Sequence, residues 1–328
     1  MRRRLRLRSW RTLGIAVALL LPAAHLPAQT IRGRVTDRTS GGAIPGAVIV
    51  ALDSTGRALA RGASDQRGVF LLPPTPGARR LRVLRLGFRP LEQPLDVAGA
   101  ALELRLDAVP LLLEPVRVNA AASCPRRADR AQALALLEQV RAGLLATVVA
   151  RAQRPAHMTL LLFERRPARD GERIASQTVQ TSVSSAASRS FAAARDARAF
   201  VERGFLDAEA GVFLAPDAET LIDDQFAKGY CFHLMPPDRR RPELVGLGFR
   251  AARRAAGRVD VDGALWVDSV ARALDHLAFR YVGLEPVFTA HRPGGHIGFR
   301  ELANGVPLID RWWLRLVGGR VPESRTGG

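Results

Sequence analysis

The chain contains few of the residue types on which catalytic chemistry commonly depends. Its 328 residues include two cysteines, two tyrosines, three methionines and six histidines, and Lys228 is the single lysine. No histidine is followed three positions later by glutamate, and the pattern H-E-x-x-H is missing. These absences exclude the zinc-binding motifs of the common metallopeptidases.

Other catalytic motifs are missing as well. The chain has no G-x-S-x-G elbow, no serine three residues before Lys228, no P-loop and no dinucleotide-binding fingerprint. His291 and His296 flank a turn, which favours a hairpin loop over a metal site. We therefore predict no catalytic, cofactor-binding or metal-binding residues, and no cofactor.

Two short acidic groups and one thiol–imidazole pair are the remaining clusters of reactive side chains in the sequence. Asp260 and Asp262 lack the further ligands of a calcium loop, so a solvated turn is favoured. The pair Asp223-Asp224 shows no catalytic context. Cys231 and His233 lie two residues apart, on one face of any strand, but an oxidising compartment favours a disulfide there.

The positive charge does not indicate a nucleic-acid partner. Six of the basic residues behind the net charge of +18 lie in the first eleven residues, and the other arginines are scattered. Nucleic-acid binding needs a basic stripe with stacking aromatics or a known motif, and neither is present. Weak attraction to anionic envelope polymers, or peripheral contact with a membrane, stays open.

The N-terminus has the pattern of a secretory signal peptide. Several arginines precede the apolar run Leu13–Leu21, and small residues follow up to Ala28. The run is about half of the ~20 residues that a membrane span requires. We predict a signal peptide at 1–28, no later transmembrane span, and an exported protein that is periplasmic, associated with the outer membrane or extracellular.

An exported protein with two cysteines is expected to form one disulfide. The pair is Cys124 and Cys231. Two buried free thiols are the alternative.

Short alternating apolar runs separated by turn residues fill the segment 29–107 and predict an antiparallel β-sandwich. Five elements follow in order: Gly33–Asp37, Pro45–Val50, Asp65–Phe70, Pro76-Gly77 and Gly87-Phe88. This order resembles the carboxypeptidase regulatory-like family, whose fold is similar to transthyretin (prealbumin) and to carbohydrate-binding-like domains. The resemblance implies a non-catalytic companion module.

The remainder is predicted to be a linker at 108–125 and a domain at 126–328. A helix is predicted over Arg126–Arg154, with Leu134 and Leu137 in its apolar stripe. A β-meander is predicted over Leu244–Ala251, Ala264–Ser269, Leu274–Tyr281, Gly295–Glu301 and Val306–Val317. The predicted fold class is mainly β: a prealbumin-like sandwich followed by an α+β domain with a long helix and a curved antiparallel meander.

The C-terminal meander resembles exported bacterial proteins of unassigned function. The resemblance is carried by Gly263–Asp268, Leu274–Tyr281, Asn304–Ile309 and Trp312-Trp313. Trp266, Tyr281, Trp312 and Trp313 are candidates for a ligand platform, and the adjacent tryptophans must point to opposite faces of a strand.

Three functions are compatible with these features. The first is a non-catalytic envelope protein that binds a glycan or another envelope component. The second is a carrier whose apolar cavity is lined by Trp266, Phe279 and Phe299. The third is a hydrolase of unfamiliar design, which requires histidines and acidic residues to converge in one cleft.

Overall fold

The computed structural model of the chain describes residues 30–95, 101–111, 127–153, 157–168, 173–185, 197–207, 211–286, 292–305 and 307–316. The predicted signal peptide, Cys124, His291 and most of the predicted linker lie outside these ranges. The described residues are mainly β, as predicted.

The N-terminal part is a sandwich of seven strands: β1 (Ile31–Asp37), β2 (Val48–Leu52), β3 (Ala58–Ala63), β4 (Val69–Leu72), β5 (Arg80–Leu84), β6 (Leu91–Pro94) and β7 (Leu102–Leu106). They form one sheet in the order β4-β1-β7 and a second in the order β3-β2-β5-β6. Apolar residues of both sheets, among them Val35, Phe70, Ile49 and Val83, meet in one core. The predicted sandwich is confirmed, but it is not wholly antiparallel, because β1 and β7 pair in parallel.

Helix α1 (Arg127–Gln153) has buried apolar residues on two opposite sides. Val140 and Leu144 belong to the large C-terminal core. Ala146 and Val149 pack against Val48, Val50 and Leu52 of β2. Leu134, which was predicted in the apolar stripe, is exposed instead.

Gly143 in the middle of α1 lets the helix approach the C-terminal sheet closely. A Cβ at this position would lie 3.0 Å from Leu274. A larger residue would therefore have to displace Leu274 or the helix.

Residues Ala131–Ala150 of α1 have the length and apolar composition of a membrane span, although no span after the signal peptide is predicted. Half of this stretch is buried inside the protein. Core helices of globular proteins pass the same test, and the buried side of α1 contacts both neighbouring sheets.

In the chain between α1 and the large sheet come two long strands and several short elements. β8 (His157–Pro167) and β9 (Ile174–Ser185) form an antiparallel pair. They are followed by α2 (Ala197–Arg203), β10 (Leu206–Asp207), β11 (Val212–Phe213), α3 (Ala218–Ile222) and α4 (Asp224–Gly229). Asp223 caps the N-terminus of α4, and Asp224 forms an ion pair with Arg141 of α1. The Asp223-Asp224 pair is therefore structural.

The C-terminal sheet is an antiparallel meander of six strands in sequence order. Its strands are β12 (Tyr230–Leu234), β13 (Leu244–Ala251), β14 (Asp260–Asp268), β15 (Ala273–Val282), β16 (Gly294–Glu301) and β17 (Pro307–Arg315). Its inner face packs against α1, α3 and α4 through Leu247, Leu265 and Leu277, and α4 contributes Phe226 to this core. The predicted meander is confirmed, with β12 added at its edge.

The sandwich and the C-terminal sheet also contact each other directly. Arg85 of the loop after β5 is 8% exposed and donates to both carboxylate oxygens of Glu301 at 3.0 Å. Gln139 of α1 donates to Phe88 O and accepts from Gly87 N. These contacts connect the two parts on either side of α1.

Candidate functional site

The outer face of the C-terminal sheet is the surface opposite α1. Side chains alternate along a strand, and Phe249 and Leu265 lie in the inner core. The alternate residues of each strand therefore point outward, and they are mostly polar, aromatic or very small.

Strand register arranges these outward residues in three rows across the sheet. The charged row contains Asp262 and Arg280, which are directly opposite each other on β14 and β15. It also contains Arg250 of β13, one residue beyond the last β13–β14 pair, Phe249 and Gly263. The small-residue row is Gly248, Ala264 and Ala278, and it continues to His233 at one end and His296 at the other. The third row pairs Trp266 with His276.

Four rings form a stacked strip, called here the aromatic strip: Trp266, His276, His296 and Trp313. Successive ring centroids are 6.0, 4.9 and 6.0 Å apart, and the planes differ by 17°, 25° and 8°. Trp313 is 43% exposed, and the Arg315 guanidinium lies 5.8 Å from its ring centre. The strip thus crosses four strands, from β14 to β17.

His276 is oriented by a carboxylate. Its Nδ1 lies 2.6 Å from Asp275 Oδ1, at a β-bulge between β14 and β15. Burial raises the pKa of Asp275, but hydrogen bonds from His276 and Arg241 outweigh it and lower the pKa overall. Because an ionised carboxylate only accepts, Nδ1 must carry the proton, which leaves Nε2 as the acceptor of the neutral ring.

Asp262 is the anionic centre of the charged row. Its Oδ2 accepts from Arg254 at 2.7 Å and from Arg280 at 3.4 Å. Its Oδ1 is buried and has no hydrogen-bond partner among the described residues. The same is true of Arg250 Nε and His233 Nδ1, so three neighbouring residues each carry a buried polar atom without a partner there.

Two histidines of this face have a lowered pKa. Burial is the main cause at His233, and Arg250 adds to it. Burial also lowers the pKa of His296, and His276 and Arg311 add to this. Both imidazoles are therefore held in the neutral form near pH 7.

Two sequence predictions are corrected by this geometry. Asp260 and Asp262 do not form a solvated turn, because both lie in β14 and are buried. Their charges are paired there, Asp260 with Arg258 and Asp262 with Arg254. His296 does not lie in a hairpin loop but in β16, where it stacks on His276.

The four predicted platform residues divide between the two faces. Trp266 and Trp313 lie on the outer face and take part in the aromatic strip. Tyr281 is buried in the core, where its hydroxyl donates to Leu214 O at 2.9 Å, and Trp312 packs against the same core. Tyr281 and Trp312 therefore do not contribute to a surface platform.

The cavity expected of an apolar carrier is not formed by the residues named for it. Phe279 and Phe299 belong to the inner face, whereas Trp266 lies on the outer one. The gap between α1 and the sheet, lined by Leu137, Leu144 and other apolar residues, is about the size of one water molecule.

Sequence analysis did not identify His233, Arg250, Asp262, His276 and His296 as one group. The alternation of each strand was visible, but the register that aligns the strands was not. Cys231 is buried on β12, on the same side as His233, and its predicted partner Cys124 lies outside the described residues. No group of three or more metal-ligating side chains was found in the described ranges.

Comparison with protein families identifies the N-terminal part. Residues 30–109 match the carboxypeptidase regulatory-like domain, so the predicted resemblance is confirmed for this segment. The match covers the whole described sandwich and stops before α1. The search among curated proteins gave no match.

Proposed function

We propose that the protein is an exported, non-catalytic binding protein of the cell envelope, and that its ligand is a carbohydrate held on the outer face of the C-terminal sheet. The regulatory-like sandwich is the non-catalytic companion of this surface. Through its contacts with α1 and Glu301 it holds the C-terminal sheet in place.

The aromatic strip is the observation that supports this proposal. Sugars present C–H faces that pack on aromatic rings and hydroxyls that need donors and acceptors. The strip supplies ring surface, and the adjacent charged row supplies Asp262 as acceptor and Arg280 as donor. A surface with aromatic area and a few placed polar groups is typical of a ligand site.

A glycan array probed with the purified chain lacking residues 1–28 tests the proposal. We expect binding to at least one envelope glycan, weakened by about fivefold or more in Trp313→Ala. The matched control is Phe163→Ala, because Phe163 is a similarly exposed aromatic residue (47%) outside the sheet. Loss of binding in both variants alike, or no glycan bound by the parent chain, contradicts the proposal.

One observation favours a second function, hydrolysis. The Asp275–His276 pair presents Nε2 as a general base, and His296 lies beside it. Turnover of chromogenic ester or glycoside substrates that disappears in His276→Gln would support an enzyme. If His276→Gln hydrolyses these substrates at the same rate as the parent chain, the turnover does not depend on His276, and only the binding function is supported.

We also propose that Cys124 and Cys231 form the disulfide expected of an exported chain. In the chain-entropy model a loop of this length contributes about 4 kcal/mol. Peptide mass mapping without reductant should show the linked pair, and detection of both thiols as free would contradict it.

A further inference from the structure

Arg250 differs from the other arginines in the middle of the outer face. Arg254 and Arg280 share Asp262. Arg250 is one residue beyond the last β13–β14 pair, Phe249 and Gly263, which brings it close to Asp262, yet it has no ion-pair partner among the described residues. Its Nε is buried and has no hydrogen-bond partner there.

The charge around Arg250 is unbalanced. Asp262 is the carboxylate nearest to it in the row, and Oδ2 of this group is already shared by two other guanidinium groups. On the other side, Arg250 is opposite Cys231 of β12. His233, two residues further along the same strand, is kept neutral by burial and by Arg250. Three arginines thus surround one carboxylate, which leaves an excess of positive charge at the centre of the face.

We propose that the ligand presents an anionic group, a carboxylate or a phosphate, to Arg250 in the space between His233 and Asp262. This inference rests on the proposed binding function and names the chemical class of its ligand. A guanidinium binds either anion through two parallel, charge-assisted hydrogen bonds.

The neighbouring groups fit a ligand that is both anionic and hydroxylated. Asp262 Oδ1 is a buried acceptor without a partner, so it can receive a hydrogen bond from a hydroxyl beside the anionic group. The side chains next to it are the methyl groups of Ala264, which is buried, and Ala278, and Trp266 follows in the next row. An acidic sugar combines these features.

Calorimetric titration of the chain lacking residues 1–28 with four sugars and inorganic phosphate tests this inference. Trigalacturonate and mannose 6-phosphate carry the two anions, and galactotriose and mannose are their neutral counterparts. We expect an acidic sugar to bind about tenfold or more tightly than its neutral counterpart, with the preference reduced by added salt.

Substitutions of Arg250 test whether this residue causes the preference for the acidic sugar. Arg250→Gln should remove the preference for the acidic sugar, and Arg250→Lys should keep part of it, because a lysine retains the charge but not the paired hydrogen bonds. Arg300→Gln removes the same charge from an exposed position at the far end of β16 and should leave binding within about twofold. Thermal unfolding of each variant shows whether it is folded.

The outcomes separate this inference from the proposed function. Equal binding of acidic and neutral sugars, or an unchanged preference in folded Arg250→Gln, overturns the inference and leaves carbohydrate binding intact. Binding of inorganic phosphate that depends on Arg250, with no sugar bound, supports the anion site and overturns the carbohydrate proposal. No binding of any of the five probes overturns the inference, and the glycan array then decides whether carbohydrate binding stands.

Discussion

The two sheets that contact α1 differ in what covers their second face. The β3-β2-β5-β6 sheet has the sandwich core on one side and α1 on the other, so every residue of β2 is buried. The C-terminal sheet has α1 on its inner side, and its outer side carries charged, aromatic and small residues. A sheet covered on both faces is purely structural, whereas one open face leaves room for a site.

The sequences of the central strands reflect this difference. β2 is the continuous apolar run VIVAL, typical of a strand buried on both faces. β14 has the sequence DVDGALWVD, in which Val261, Leu265 and Val267 alternate with Asp262 and Trp266. The alternation of apolar with polar or aromatic residues in β14 thus indicates that one face of the larger sheet is not covered by another element.

The comparison is tested most strongly by placing one carboxylate on the second face of each sheet. Val50→Asp buries an unpaired charge against Ala146 and Val149 and should lower the free energy of unfolding by about 4 kcal/mol. Ala278→Asp adds the same charge beside Arg280 and should change it by about 1 kcal/mol or less. Urea denaturation of both variants measures the difference, and equal losses would contradict the assignment of the open face.

Helix α1 is expected to be anchored more firmly in the C-terminal core than in the sandwich. Leu144 is fully buried among the C-terminal residues, so Leu144→Ala should cost about 3 kcal/mol through the lost contacts and the cavity. Leu145 is only partly buried against the sandwich, and Leu145→Ala should cost about 1 kcal/mol. Similar losses in thermal and urea unfolding would show that both units hold the helix equally.

The Arg85–Glu301 ion pair connects the two units. Glu301→Ala leaves the buried Arg85 without its carboxylate and should destabilise the chain by about 2 kcal/mol. The double variant Arg85→Met, Glu301→Leu should lose less, because it removes the buried charge as well. A double variant that loses the sum of the losses of the two single variants would show that the two side chains are not coupled, and would contradict this expectation.

The smallest expected effect is a pH dependence confined to the C-terminal sheet. Folding lowers the pKa of His233 and His296 from the ordinary value of about 6.5, so the unfolded chain binds more protons as the pH falls below this value. Stability is therefore full above pH 7 and decreases towards pH 5. The segment 30–109 contains no histidine and should not contribute to this dependence. The double variant His233→Asn, His296→Asn should therefore make the free energy of unfolding less dependent on pH between pH 5 and pH 7. A profile unchanged by the double variant would place its origin elsewhere.

Much of the secondary structure was predictable because local patterns determine it. The bounds predicted for β13, Leu244–Ala251, agree with the structure, and α1 begins and ends within one residue of its prediction. The start of β14 was missed, since Asp260 and Asp262 have the composition of a turn. Their charges are balanced in the strand by Arg254, Arg258 and Arg280, and the last of these comes from the neighbouring strand.

The candidate site was less predictable than the strands that form it. His276 and His296 are separated by a whole hairpin, and only the register of β15 with β16 brings their rings to 4.9 Å. Trp312 and Trp313 were expected to point to opposite faces, but the sequence did not show that Trp313 would be the one beside the histidines.

By itself the sequence determined the sandwich, the long helix and the meander, because turn residues, apolar periodicity and strand alternation are local properties. Only the tertiary structure decided which face of each sheet is covered. The reason is that α1 is apolar on two opposite sides and could pack against either sheet, and its position between them leaves the outer face of the C-terminal sheet open. That packing places Arg250, Asp262 and the aromatic strip together on one surface.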